Sequence, residues 1–123
     1  MHILYLTKDL FFSSRVSSLA REAGATIDVI ASADACVAQD DTALAIIDLG
    51  LAQLDIASAV RRLRAIASPL KIIAYGPHVD AAMLTAAQQA GCDWVLPRSQ
   101  FDQQIAAILR ECDSSGITGT GPG

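Results

Sequence analysis

The chain has 123 residues, of which 52% are hydrophobic and 18% are charged, and its formal net charge is −4. This length suits one domain with one buried core, and the composition is that of a folded rather than a disordered protein. The negative charge argues against binding to nucleic acid or to an anionic membrane, because both require a clustered positive surface.

The sequence carries no sign of a membrane span or of export. No apolar run approaches the roughly 20 residues that cross a bilayer, and the start Met1-His2-Ile3 has no basic leader, so we expect a cytoplasmic protein. Three widely spaced cysteines, Cys36, Cys92 and Cys112, lie among apolar neighbours. They predict reduced thiols in the core, and neither a disulfide framework nor a zinc site.

Five short aliphatic runs are typical of buried parallel strands. They cover residues 3–7, 26–31, 43–48, 71–75 and 93–96. Helical spacing between them is clearest at Phe12, Val16, Leu19 and Ala23, which Gly24 follows as a stop signal. Further helices are predicted over 55–68, 79–90 and 101–112, with a short, weakly patterned one over 33–39.

This alternation predicts an α/β fold. Parallel strands require crossover connections, and these are nearly always right-handed, so the expected architecture is a (βα)5 doubly wound sheet. The expected strand order is 2-1-3-4-5, as in flavodoxin-like three-layer proteins. We place this domain at residues 1–112 and treat 113–123, which are rich in Gly, Ser and Thr, as a flexible tail.

The functional crevice of such a sheet lies at the carboxyl ends of the strands, where the strand order reverses. The residues that this rule selects are Thr7, Lys8 and Asp9 after the first strand, Asp48 at the end of the third, and Tyr75, Gly76, Pro77 and His78 after the fourth.

Two stretches resemble the receiver domains of response regulators. In ALAIIDLGLAQLDIASAVRRLRA an aspartate ends an apolar strand and a second one opens a helix seven residues later, as around the phospho-acceptor of that family. AAMLTAAQQAGCDWVL resembles its fourth helix and fifth strand. The resemblance covers residues 3–112. It implies that Asp48 is the phospho-acceptor-like position and that Trp94 stands where receivers often have a switch aromatic.

The sequence also departs from the receiver pattern. The resemblance implies an acidic pair after the first strand, where this chain has Thr7 and Lys8, so we expect weak or absent Mg²⁺ binding and no other cofactor. It implies a small hydroxyl residue after the fourth strand, where Tyr75 stands. It also implies Lys-Pro after the fifth, where Pro97 and Arg98 stand.

Two arrangements of this pocket are open. Lys8 pairs with Asp48 in place of a metal ion, or Lys8 faces solvent and Asp48 binds backbone amides of the following loop. Two further points are open as well: whether Arg98 reaches the pocket, and the isomer of the Leu96-Pro97 bond.

Three functions follow from these residues. The first is a receiver-like signalling module, not an enzyme, that acts by phosphorylation-independent protein–protein interaction. The second is a weakly phosphorylatable receiver that uses Asp48. The third is a small-molecule-binding or enzymatic flavodoxin-like domain that uses the crevice near His78, for which the sequence offers no partner nucleophile.

Two surfaces are candidates for a protein partner, which would be a histidine kinase, another receiver or a second copy. Phe11 is expected at the edge or the outside of the first helix, where it either packs laterally on its neighbours or, as the resemblance implies, docks a phosphotransfer partner. The other surface combines the fourth predicted helix, the fifth strand and the last helix, near Trp94 and Arg98, and many receivers dimerise through it.

Overall fold

The computed structural model of the protein describes the backbone of residues 1–115 and the side chains of residues 1–111. Five parallel strands form one sheet in the order β2-β1-β3-β4-β5, which confirms the predicted fold class and strand order. The strands are β1 (His2–Leu6), β2 (Thr26–Ile30), β3 (Thr42–Asp48), β4 (Lys71–Gly76) and β5 (Trp94–Pro97). Each end lies within one residue of its predicted position.

Four α-helices connect or follow the strands. They are α1 (Leu10–Glu22), α2 (Ile56–Ile66), α3 (Ala81–Gln89) and α4 (Arg98–Ser115). The helix predicted over 33–39 is reduced to a single 3-10 turn, Ala33–Ala35, because only Cys36 of this stretch is apolar and fully buried. Within residues 1–115 no helix is long and apolar enough to cross a membrane.

Aspartates start three of these helices. Asp9, Asp55 and Asp80 are the N-caps of α1, α2 and α3, and each carboxylate accepts a hydrogen bond from the amide three residues further on. Gly24 and Gly91 follow α1 and α3 with φ of 83° and 97°, a conformation that glycine adopts without steric cost.

Two predictions lie partly outside the described residues: the flexible tail and the buried thiol of Cys112. Helix α4 includes the backbone of residues 113–115, whereas 116–123 and the side chain of Cys112 lie outside what the structure describes. Cys36 is free and buried, and Cys92 is free and half-buried. The Leu96-Pro97 bond is trans, and the cis bond of the described chain is Ser68-Pro69.

The sheet is packed on both faces. On the aromatic face, as we name it, α1 and α4 cover the sheet and the rings of Tyr5, Phe12, Tyr75 and Phe101 form part of the buried cluster. On the opposite, aliphatic face, the sheet is covered by α2, α3 and the irregular residues 31–41, and its cluster contains no aromatic residue.

Candidate functional site

Three of the predicted site residues lie side by side at the carboxyl edge of the sheet. Asp48 pairs in register with Tyr75, and Thr7 lies one position beyond the paired Leu6 and Ile47. Because side chains alternate between faces along a strand, Thr7, Asp48 and Tyr75 all project from the aromatic face. The sheet therefore brings together the ends of β1, β3 and β4, as the sequence predicted.

The Asp48 carboxylate has both oxygens engaged. Its Oδ2 accepts a hydrogen bond of 2.6 Å from the Thr7 hydroxyl, and its Oδ1 accepts one of 2.8 Å from the Gly50 amide. A Cβ at position 50 would lie 3.1 Å from the same Oδ1, which favours glycine there. Asp48 thus fixes the start of the loop between β3 and α2.

Lys8 is exposed, and among the side chains of residues 1–111 it forms no ion pair with Asp48. Lys8 instead lines a cavity of about 410 Å³ next to residues 31–34 and 51–55. Of the two arrangements left open by the sequence, the structure has the second, and a Lys8–Asp48 pair is absent.

Asp9 and Arg98 form an ion pair across the rim of the pocket. Asp9 Oδ1 accepts a 2.9 Å bond from the Phe12 amide, and Asp9 Oδ2 accepts a 2.6 Å bond from Arg98 Nη2. The bond from the Phe12 amide, supported by the nearby Arg98 guanidinium, lowers the pKa of Asp9. Arg98 also lies over the Phe12 ring, 4.7 Å from its centroid. Arg98 therefore reaches the pocket rim, but its partner is Asp9 and not Asp48.

Tyr75 lies beneath the pocket rather than lining it. Its side chain is buried, its ring stacks on Phe101 at a centroid distance of 4.4 Å, and its hydroxyl bonds the Tyr5 hydroxyl at 2.5 Å. Burial raises the pKa of both phenols above the usual value, and the charge of Asp48 adds to the rise. The tyrosine at this position thus extends the core to the floor of the pocket.

The side chains present do not fit the magnesium site of a phosphorylatable receiver. Mg²⁺ needs several anionic oxygens, yet the oxygens of Asp48 are bonded to Thr7 and Gly50, and those of Asp9 to Phe12 and Arg98. Across the described residues, no group of three or more His, Cys, Asp or Glu side chains is placed to hold a metal ion.

The remaining predicted residues lie apart from Asp48. His78 is exposed in the turn before α3, with no polar partner among the described side chains. Trp94 is half-buried at the start of β5, where the Lys71 ammonium lies 5.7 Å from its ring centroid. Neither residue contributes to the row of side chains at the carboxyl edge.

An exposed apolar surface borders the pocket. Phe11 is 90% exposed and Leu10 is 81% exposed on the first turn of α1. A groove of about 470 Å³ separates Phe11 from Pro77, His78 and the start of α4. We call Leu10, Phe11 and this groove the Phe11 rim. Sequence reasoning placed Phe11 outside but missed Val79, which is 79% exposed. The sequence feature that could have identified Val79 is that an apolar residue stands directly before the N-cap of α3.

Solved structures identify the fold. FixJ-N superposes with a TM-score of 0.71 at 14% identity, over 95% of this chain and 96% of its own. A CheY-like response regulator receiver domain protein from Methanospirillum hungatei has a TM-score of 0.69 at 16% identity, over 94% and 98% of the two chains. The chain has the receiver fold. No protein-family profile and no curated protein sequence matches it.

Two further solved structures are similar to this chain: one is described as a pilus assembly protein, and the other is a longer protein. A putative pilus assembly protein, CpaE of Burkholderia thailandensis, has a TM-score of 0.68 at 16% identity, over 94% of this chain and 99% of its own. Full-length FixJ from B. japonicum is also similar, but the present chain spans only 60% of it. The activity of such a longer protein is therefore a matter for proposal.

Proposed function

We propose that this receiver-fold domain is a signalling module that works by phosphorylation-independent protein–protein interaction and is not an enzyme. The observation that carries the proposal is the state of Asp48, whose two carboxylate oxygens are bonded to the Thr7 hydroxyl and the Gly50 amide. This carboxylate stabilises a loop within the protein.

The charges around Asp48 make it a poor phosphoryl acceptor. A phosphoryl donor is anionic and approaches an anionic carboxylate, so phosphoryl transfer depends on cations that neutralise the developing charge. Thr7 supplies a neutral hydroxyl, Lys8 lines another cavity, and Arg98 is paired with Asp9. No cation among these side chains is directed at Asp48.

The same contacts favour a pocket with one conformation. The Asp9–Arg98 pair ties the loop after β1 to α4, and the aromatic cluster fills the space below the pocket. A receiver that switches needs two alternative packings at this place. We infer that this domain presents a constant surface to its partner.

The Phe11 rim is the best candidate for that surface. Two neighbouring large apolar side chains with most of their area exposed are unusual on a small protein and indicate a contact site for another protein. Arg98 lies in the groove beside Phe11 and would add a cation to the contact. The partner class is a histidine kinase, another receiver or a second copy of this chain.

Dimerisation through α3, β5 and α4 has weaker support. Of the large hydrophobic side chains that are exposed within residues 1–111, none lies on these three elements. The Trp94 ring is half-buried and flanked by Lys71.

A binding role also agrees with the occurrence of this fold in CpaE, which is described as a putative pilus assembly protein.

Intact-mass spectrometry after incubation with acetyl phosphate and Mg²⁺ tests the proposal, with Asp48→Asn as the control. We expect no phosphoryl adduct on the folded wild-type chain. An adduct that disappears in Asp48→Asn would instead support the alternative, a weakly phosphorylatable receiver. An adduct that survives in Asp48→Asn but is lost in His78→Gln would point to the crevice near His78.

A gain-of-function variant sharpens the same experiment. Thr7→Asp with Lys8→Asp restores an acidic pair beside Asp48 and removes the hydroxyl that bonds to it. If these two positions account for the lost acceptor chemistry, the double variant should acquire an Asp48-dependent adduct in the presence of Mg²⁺. Circular dichroism of the variant establishes that it is folded before the masses are compared.

A further inference from the structure

The connection between β2 and β3 forms a distinct surface next to α2. Residues 31–41, which we call the β2–β3 segment, lie beside α2 and are fixed to the core mainly through Cys36. The cavity of about 410 Å³ that Lys8 lines runs between this segment and α2, where Ser58, Ala59 and Arg62 form its wall. The single 3-10 turn Ala33–Ala35 borders this groove.

Exposed opposite charges lie on the two elements that border this groove, and Arg62 and Asp34 line it directly. Arg61 and Arg62 are exposed on α2, and Asp34 and Asp40 are exposed on the β2–β3 segment. Among the side chains of residues 1–111, none of the four takes part in an ion pair. Arg61 donates only to the Ser58 hydroxyl within its own helix.

The buried Cys36 thiol lies near both charges. Burial raises the pKa of Cys36 to about 11, while the positive charge of Arg62 opposes the rise and the negative charge of Asp34 adds to it. Arg62 and Asp34 both line the groove, yet among the side chains of residues 1–111 no ion pair joins them.

We propose that a second copy of this chain docks on this face about a two-fold axis, with Arg61 and Arg62 of each copy opposite Asp34 and Asp40 of the other. In a two-fold dimer the same patch is used by both copies, so a surface that carries both charges side by side is complementary to itself. Val37, which is 73% exposed on the same segment, supplies an apolar contact.

Other occupants fit the face less well. A nucleic acid would meet the cations but would be repelled by the neighbouring aspartates and by the net charge of −4. A second copy related by a two-fold axis that passes between the cations and the anions places each group of cations opposite a group of anions. The four charged residues of this face belong neither to the Phe11 rim nor to the hydrogen bonds of Asp48, so reversing their charges tests the dimer without changing the residues that carry the proposed function.

Sedimentation velocity of the full chain over a range of concentrations and salt tests the dimer. We expect a concentration-dependent dimer that weakens as salt increases. Arg61→Glu with Arg62→Glu, and separately Asp34→Lys with Asp40→Lys, should each raise the dissociation constant at least about tenfold, because like charges then face each other. A mixture of the two double variants should form a heterodimer, since every facing pair is again of opposite sign.

Matched controls make the outcome decisive. Arg21→Glu with Arg110→Glu changes the net charge equally, on α1 and α4, and should leave the dimer unchanged. The absence of a dimer in the wild type would overturn the proposal. So would a dimer that persists in both charge-reversed variants, or one that is lost on Phe11→Ala or Trp94→Ala instead.

Discussion

The two faces of the sheet differ in the side chains and elements that cover them. On the aromatic face four rings touch one another, and two ion pairs, Arg15–Asp102 at 2.7 Å and Asp9–Arg98 at 2.6 Å, join α4 to α1 and to the residue before it. On the aliphatic face the cluster contains no ring, and one of its three coverings is the irregular β2–β3 segment.

This difference supports the proposal that the pocket around Asp48 has one conformation. Thr7 and Asp48 project on the same face as Tyr5 and Tyr75, so the pocket is built on the tightly packed side of the sheet. A close-packed interior resists continuous deformation, so a pocket built on it is expected to change shape little. The aliphatic face, where a helix is reduced to one turn, instead leaves a groove and unpaired charges at the surface.

The largest expected effect comes from removing a ring of the aromatic face. Phe101 is fully buried and contacts both Tyr75 and Phe12, so Phe101→Ala leaves a cavity that its stacked neighbours cannot fill. We expect the free energy of unfolding to fall by about 3–5 kcal/mol, measured by urea denaturation.

Leu63→Ala is the matched substitution on the aliphatic face, because Leu63 is also fully buried. The β2–β3 segment and the groove beside α2 allow this site to collapse around the cavity, so its loss should lie near the lower end of about 2–5 kcal/mol. A greater loss for Leu63→Ala than for Phe101→Ala would contradict the comparison between the two faces.

The second prediction concerns the paired phenols. Tyr75→Phe leaves the buried Tyr5 hydroxyl without its partner, which should destabilise the fold by about 1–3 kcal/mol. Tyr5→Phe should cost a similar amount. The double variant should cost less than the sum of the two single variants, because neither phenol is then left unpaired. Additive losses would show that the hydroxyls do not act as a pair.

The dependence of the free energy of unfolding on alkaline pH tests the Tyr5–Tyr75 pair independently. The folded pKa of Tyr5 and of Tyr75 is raised above the value of about 10 for an unfolded tyrosine. Above that pH the unfolded chain loses these protons first, so stability falls as the pH rises. Tyr5→Phe with Tyr75→Phe should flatten this fall, and equal pH profiles for the wild type and the double variant would refute the assignment.

The sheet and its order were predictable because they depend on repeated local signals. Each strand is a short aliphatic run, and the connections after Asp9, Asp55 and Asp80 begin with a capping aspartate. The weak apolar spacing over 33–39 correctly marked the least regular connection. The sequence could not predict that it would be a 3-10 turn, because the single buried anchor, Cys36, depends on tertiary packing.

The site was predictable as a set of positions but not as a set of contacts. The rule for strand ends selected Thr7, Asp48 and Tyr75, which the sheet does bring together. Which partner each side chain takes depends on distances of a few ångströms between loops. The choice of Arg98 for Asp9 and of Thr7 for Asp48 therefore emerged only from the structure.

The smallest expected effect separates the two roles of Asp9. Asp9→Ala removes the α1 N-cap and the ion pair with Arg98, and should cost about 1 kcal/mol. Asp9→Asn keeps a good capping side chain but loses the charge, so it should cost less at neutral pH. Urea denaturation of the three proteins at pH 7 checks this order, and Asp55→Ala at the α2 N-cap is the control without an ion pair.

The difference between wild type and Asp9→Asn should depend on pH. Because the folded pKa of Asp9 is lowered, its contribution is complete above the unfolded value of about 4 and disappears as the pH falls through the folded value. The two proteins should therefore converge in stability as the solution is acidified. A difference that persists at low pH would mean that the Asp9 side chain stabilises the protein as a helix cap and not through its charge next to Arg98, which would leave Arg15–Asp102 as the ion pair that joins α1 to α4.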